Sequence, residues 1–294
     1  MDTYSLETDG IFKLLGFLYV YSNINATHFT VAHEIFHKPG NFNRILGTLH
    51  MSKNLYTHFT YEHVYGHHRK VATPEDPASA PQHISVYQFV PKSVVGSWKS
   101  VYNMQKEEGK SVFLNYAVLS LVWSFVFTTL VYMGFGPKAT LFFVAQALLS
   151  IFFLEVINYV EHYGLRRKRL EDGTYEKVTI RHSWNAPHRF TNYILFKLQR
   201  HSDHHENAMK PYQTLLSLNE SPQLPHGYSL MVSMSLIPSV WFRIMDPLVE
   251  EYKRVGSGDI KSEVAEKAIE ESKKFAVETG LAAMALWGLN LLLC

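Results

Sequence analysis

Two long stretches almost without charge constrain this chain more than any other feature of it. Val112–Met133 holds no Asp, Glu, Lys or Arg over 22 residues, and Ala139–Val160 holds only Glu155 over another 22. About 20 apolar residues in a helix cross a hydrocarbon core of ~30 Å, so each stretch is long enough to span. The linker, GFGPK, is a Gly/Pro turn too short for anything but a tight hairpin. The expected fold is therefore all-α, an integral membrane helical bundle.

Three further segments fit such a bundle less cleanly. Ile11–Ala32 is apolar at first, then takes in Asn23, Asn25 and His28, so its C-terminal half should face protein. Tyr228–Met245 contains Pro238 and Arg243 and reads as a shallow or re-entrant helix. Phe275–Cys294 is apolar apart from Glu278 and reads as a tail helix that crosses or lies in the membrane. Before it, Asp259–Lys274 has i,i+4 charge pairs and a thin apolar stripe, the pattern of an exposed helix, with Gly256-Ser-Gly258 as its hinge. The expected division is 1–246 as a membrane-embedded domain and 247–294 as a charged helix plus an apolar C-terminal helix.

Composition excludes several classes. Charged residues make up 18%, where about 25% is usual. The net charge of +2 is too weak to imply a nucleic-acid partner. A single cysteine, Cys294, rules out internal disulfides and Cys-based zinc or iron–sulfur sites. The first residues, MDTYSLETDG, are acidic and polar, unlike a cleaved signal or an Arg-rich transit peptide. Basic residues cluster on both flanks of the spanning pair: Arg69, Lys70, Lys92, Lys99, Lys106 and Lys110 before it, Arg166-Arg-Lys-Arg169 and others after it. The turn between holds Lys138 alone. The positive-inside rule places both flanks on the cytoplasmic, or organellar matrix, side. Those cations also suit the docking of an acidic partner.

Histidine is the outlier, with 16 copies in clusters. His33 and His37 lie in HEIFHK. His63, His67 and His68 lie in EHVYGHH. His162 lies in NYVEHYGL. His201, His204 and His205 lie in LQRHSDHH. Residues three or four apart share a helix face, so each pair or triplet can present two or more imidazoles to one point. The chain crosses the membrane an even number of times between EHVYGHH and NYVEHYGL, so all groups return to the same side. Neutral imidazole suits zinc, copper, iron or nickel. Nine candidates are too many for one tetrahedral zinc and suit two ions with open positions. Glu34, Glu62, Glu161 and Asp203 are placed to accept ring N–H groups and fix tautomers. HEIFH alone also fits H-E-x-x-H, with Glu34 as the base of a zinc protease, but that leaves seven clustered histidines without a role. His28, His50, His58, His83, His182, His188 and His226 read as hydrogen-bonded structural residues. Glu155, inside a span, is a functional candidate in its own right.

HEIFHK, EHVYGHH, TPEDPAS, NYVEHYGL and LQRHSDHH, in this order, resemble the integral-membrane alkane monooxygenase family, with xylene monooxygenases and membrane fatty-acid desaturases as more distant relatives. The likeness runs from about His28 to Asp246 and takes in HSWN at His182–Asn185 and PYQTL at Pro211–Leu215. The second box, H-x-x-x-H-H, departs from the H-x-x-H-H typical of desaturases and points to a hydroxylase. The resemblance implies two iron ions held by His33, His37, His63, His67, His68, His162, His201, His204 and His205, with O2 as co-substrate. It implies terminal hydroxylation of an alkane or alkyl chain, with electrons from a separate rubredoxin-like carrier. The family usually has several membrane helices before its first histidine box, whereas 32 residues precede His33 here. That difference leaves room for membrane partner subunits in their place, for a desaturase-like lipid-modifying enzyme, or for a non-catalytic accessory subunit that retains the metal site.

Overall fold

The structure, a computed structural model, describes residues 3–186, 188–255 and 262–293. The Gly256–Gly258 hinge, the first residues of the expected charged helix and Cys294 lie outside the described residues. Among those described there are helices and two isolated β-bridges, but no strand.

In chain order the α-helices are α1 (Thr3–Phe36), α2 (Asn41–Ser52), α3 (Phe59–Tyr61), α4 (His68–Lys70), α5 (Val86–Glu107), α6 (Tyr116–His162), α7 (Arg189–Ile194), α8 (His201–Glu206), α9 (Tyr228–Ser235), α10 (Pro238–Val255) and α11 (Glu263–Leu293). A π-helical turn, Glu62–His67, joins α3 to α4.

The two apolar stretches form the two limbs of α6, except that Val112–Leu114 make a separate 3-10 turn before it. Its run breaks at Gly136, whose φ of 79° and ψ of −179° are not helical, and Pro137 follows. A positive φ is cheap only for glycine. The limbs fold back on each other, since the Phe127 and Phe143 rings meet at 5.6 Å between centroids. Asn115 caps the first limb by accepting from the Ala117 N–H at 3.0 Å. Ser85 and Gln88 form a capping box at the start of α5, which packs beside the first limb through Trp98 Nε1 donating to Ala117 O at 2.9 Å.

α1 runs alongside the second limb. Phe17 stacks on Phe142, Asn25 Nδ2 donates to Gln146 Oε1 at 2.8 Å, and Phe29 shares a core with Ile151. Tyr19 also meets Phe153, and Ser150 Oγ donates to Ser22 O at 3.1 Å, so the two helices cross here and each then continues to the clustered histidines. Both therefore deliver their C-terminal histidines, His33 and His162, to the same end of the bundle. Helix C-termini carry partial negative charge, so two of them face any cation bound there.

Tyr228–Met245 is sharply broken: α9 and α10 meet at 119°, just before Pro238. Proline cannot donate to the preceding turn, which sets the break. α10 runs unbroken across Asp246, and Tyr163 OH donates to Asp246 Oδ1 at 2.6 Å, tying α10 to the residue after His162. Ala268 and Phe275 of α11 pack into the same core as Trp241, Met245 and Val249.

Candidate metal centre

The nine clustered histidines converge, but not box by box. One group is His33, His37, His63, His68 and His204; the other is His67, His162, His201 and His205. Within each group, one nitrogen per ring lies within 4.8 Å of all the others. His67 and His68, neighbours in sequence, belong to different groups.

The π-helical turn explains the split. In an α-helix His63 would share its face with His67, four residues on. Here the His68 N–H reaches back to His63 O, five residues earlier, and a π turn brings i and i+5 together. His63 Nε2 and His68 Nε2 stand 2.9 Å apart. Each box still presents two imidazoles to one point, His33 with His37, His63 with His68, and His201 with His205, while His67 and His204 each join the other group; H-x-x-x-H-H serves both points because its helix is over-wide.

The spacing of the ring nitrogens fits bound cations. In the five-histidine group, Nε2 of His33 lies 2.9 Å from that of His63, and Nε2 of His68 lies 3.2 Å from those of His37 and His204. In the four-histidine group, His67 and His205 are 3.2 Å apart, His162 and His201 3.1 Å, and His201 and His205 3.0 Å. Nitrogens held about 2.1 Å from one ion stand roughly 2.9–3.4 Å from each other. A neutral imidazole offers one lone pair and one N–H. Four or five Nε2 atoms facing one point cannot satisfy each other by hydrogen bonds, whereas a cation accepts all their lone pairs. Burial holds His63, His68, His201, His204 and His205 well below the ordinary histidine range, which keeps them neutral and able to ligate.

The acidic residues fall differently from expectation. Glu161 does not stand behind a ring: its Oε2 lies 3.1 Å from His201 Nε2, on the side that faces the other three imidazoles. Tyr228 OH holds the other oxygen at 2.8 Å. Asp203 is occupied by Lys210 Nζ and the Leu216 N–H, both at 2.7 Å, and Glu34 pairs with Lys38 at 3.5 Å. Neither supports a ring. Glu62 is buried, its Oε1 has no partner, and burial followed by the Asp76 charge pushes its pKa up to about 8.

The carboxylate that does stand behind a ring is Asp76, in TPEDPAS. Its Oδ2 lies 2.9 Å from His67 Nδ1, with both side chains buried. Burial disfavours charge on His67, but the Asp76 carboxylate outweighs it and leaves the ring above its ordinary pKa. Sequence reasoning marked TPEDPAS as a motif without assigning Asp76. The signal was there in an acidic residue nine positions after His67, but only the loop geometry brings the two together.

HSWN is a clamp. Trp184 Nε1 donates to Tyr163 O at 2.9 Å and Trp184 N to Glu161 O at 2.9 Å. Asn185 reaches α8, as detailed below. The remaining histidines stay apart from the two groups: His28 meets Lys53, His58 meets Ser97, His83 meets Asp246, His182 meets Glu176, and His188 stacks on His226, but His50, expected to be hydrogen-bonded, has its Nε2 buried without a partner. Glu155 accepts from Tyr56 OH at 2.8 Å and from Asn158 Nδ2 at 3.2 Å.

A cavity of about 650 Å³ opens beside the histidines. Phe29, Phe59, Phe152, Leu195 and Val232 line it, His33, His63 and His201 close its inner end, and Tyr19 and Phe153 meet edge to face at the other.

Residues 11–234 match the family model described as fatty acid desaturase. The chain is 41% identical over 239 residues to alkane 1-monooxygenase 1 of Pseudomonas aeruginosa, covering 78% of this chain and 62% of that protein. It is 35% identical over 283 residues to alkane 1-monooxygenase 1 of Alcanivorax borkumensis, covering 93% of this chain and 69% of the relative. Likeness to the xylene/toluene monooxygenase hydroxylase component of Pseudomonas putida is lower, 25% over 229 residues. The chain thus spans less than two thirds of the length of the first of these relatives.

Proposed function

We propose that this chain, which belongs to the fatty acid desaturase family and within it to the group of the alkane 1-monooxygenases, is an O2-dependent hydroxylase of the terminal carbon of an alkane or alkyl chain. The observation that carries the reading is the placement of two imidazole groups against a largely apolar cavity, which His33 and His63 of one group and His201 of the other line. In this reading His33, His37, His63, His68 and His204 hold one iron ion, and His67, His162, His201 and His205 hold a second. The ions supply what no side chain can, reduction of O2 and oxidation of an unactivated C–H bond.

The protein's own part is placement and exclusion. The overall change inserts one oxygen atom into a C–H bond and reduces the other to water, consuming two electrons and two protons. The cavity admits a chain end-on toward His33, His63 and His201. Several polar groups along its wall bond to their own helices: Asn23 Nδ2 donates to Tyr19 O, Thr27 Oγ1 to Asn23 O, Thr30 Oγ1 to Thr27 O, and Ser233 Oγ to Ser229 O. With Phe29, Phe59, Leu149, Phe152, Ile157 and Val232 between them, the wall suits a hydrocarbon chain. Electrons come from a separate rubredoxin-like carrier, and the exposed cations Lys168 and Arg169 suit an acidic one.

Membrane insertion belongs to the same reading. α6 is long and apolar enough to cross, and Phe125, Leu130, Met133, Phe135 and Leu141 on it are exposed, as are Ile11, Phe12, Leu15 and Phe17 on α1. So large an exposed apolar surface needs lipid or a partner. The basic flanks put the histidines on the cytoplasmic, or matrix, side.

The test is product analysis of the purified, iron-loaded protein with a reduced carrier, O2 and a medium-chain alkane. A primary alcohol is expected. An alkene would instead favour a desaturase, the second reading that the family model supports, and no oxidised product would contradict both.

A further inference from the structure

The two imidazole groups differ in the negative charge around them. Of the nine rings, His67 is the one whose Nδ1 is held by a carboxylate, Asp76 Oδ2 at 2.9 Å. Nδ1 of His37, His63, His68, His201 and His205 is buried without a protein partner. Asp76 is itself fixed: Oδ2 also accepts from Ser79 Oγ at 2.5 Å, Oδ1 accepts from the Ala78 N–H at 3.1 Å, and Ser79 Oγ accepts from the Ala72 N–H at 2.7 Å. Another buried carboxylate, Glu161, faces the same group through His201 Nε2, whereas Glu62, also buried, bonds to none of the nine rings. Around the five-histidine group the acidic candidates are turned away, Glu34 to Lys38 and Asp203 to Lys210.

We propose that the two metal positions are electrostatically unequal, and that Asp76 is the positioning residue that makes the four-histidine position the tighter and more electron-rich one. A carboxylate behind a ligating imidazole fixes its tautomer and raises its basicity. With Glu161 beside it, the four-histidine position balances much of a cation's charge. The five-histidine position presents neutral donors only and leaves that charge uncompensated. An ion there is released first under chelation, and an ion in the four-histidine position favours the higher oxidation state.

This inference rests on the two-ion reading above, and the experiment separates the two. Full-length protein in detergent is loaded with 57Fe, followed by Mössbauer spectroscopy, iron counting and stepwise chelation. Wild type is expected to hold two ions with distinct spectra and to release them in two stages. Asp76→Asn keeps an acceptor for His67 but loses the charge. It is expected to change one spectral component only and to release the tighter ion at roughly 10- to 100-fold lower chelator. Ser79→Ala keeps the carboxylate but breaks the loop's bond to it; if Asp76 only held the loop together, this variant would match Asp76→Asn, and that match overturns the proposal. So does a wild type whose two ions are spectroscopically alike and leave together, or an Asp76→Asn variant in which both change equally or neither does. Fewer than two ions in wild type overturns the two-ion reading, and this inference with it.

Discussion

Asn185 holds Ser202 at two points: its Nδ2 donates to Ser202 Oγ at 2.7 Å, and its Oδ1 accepts from the Ser202 N–H at 2.9 Å. Ser202 follows His201, so this clamp sets the start of the helix that presents three of the nine imidazoles. The same Nδ2 also donates to Ser221 Oγ. All three residues are buried. Asn185→Ala leaves several polar groups unsatisfied and is expected to cost about 1–3 kcal/mol. Thermal denaturation in detergent should show the lower midpoint, and iron counting should show reduced occupancy. Full iron retention in a destabilised variant would separate the clamp from the site.

Gly164 is expected to tolerate no side chain. Its φ is +72°, and a Cβ there would stand 2.8 Å from both methyl groups of Val249. Gly164→Ala combines backbone strain with overpacking, each worth about 1–3 kcal/mol. It lies two residues from His162, so a lowered denaturation midpoint should be accompanied by weaker metal binding. An unchanged midpoint would show that the α10 contact yields easily.

The metal-free protein should lose stability in acid earlier than its carboxylates alone predict. Burial lowers the pKa of His37 to about 3 and places His201, His204 and His205 well below 6.5. For a histidine with a lowered folded-state value, the unfolded chain binds the proton first. Its contribution is therefore fully present above pH 6.5 and is lost progressively as pH falls toward the folded value. Denaturation midpoints of apo-protein measured from pH 7.5 down to pH 5 should fall steadily below about 6.5. A flat profile would mean these rings are not buried in the metal-free state.

Cavity length should set the preferred alkyl chain. Ala26 and Val232 line the cavity part-way between Tyr19 and the histidines. Ala26→Phe is expected to shift turnover toward shorter alkanes, lowering the long-to-short ratio by about tenfold or more with iron content unchanged. A product profile that does not move would place the substrate elsewhere.

Much of the site was legible because ligation needs histidines at short spacing, and HEIFHK, EHVYGHH and HSDHH carry that directly. The α6 hairpin was equally plain, since an uncharged run, GFGPK and a second uncharged run admit few other folds. The partition into five and four was not legible. In EHVYGHH it depends on a π-helical turn that puts His63 with His68 instead of His67, and nothing in i,i+4 reasoning signals the wider turn; in HSDHH the i,i+4 pair His201 and His205 stays together and His204 goes to the other group. The acidic partners were misassigned for a related reason. Proximity in sequence favoured Glu34 and Asp203, but Lys38 and Lys210 are closer in space to them than any ring nitrogen is. Asp76 reaches His67 through a loop whose path no periodicity encodes.

The central claim, two iron ions held by nine imidazoles, is tested most directly by iron counting combined with X-ray absorption on freshly purified protein. Two irons per chain are expected, each with nitrogen neighbours at about 2.1 Å, falling to one or none in His204→Ala and His162→Ala. A single zinc, or protein without metal that still forms product, would contradict it.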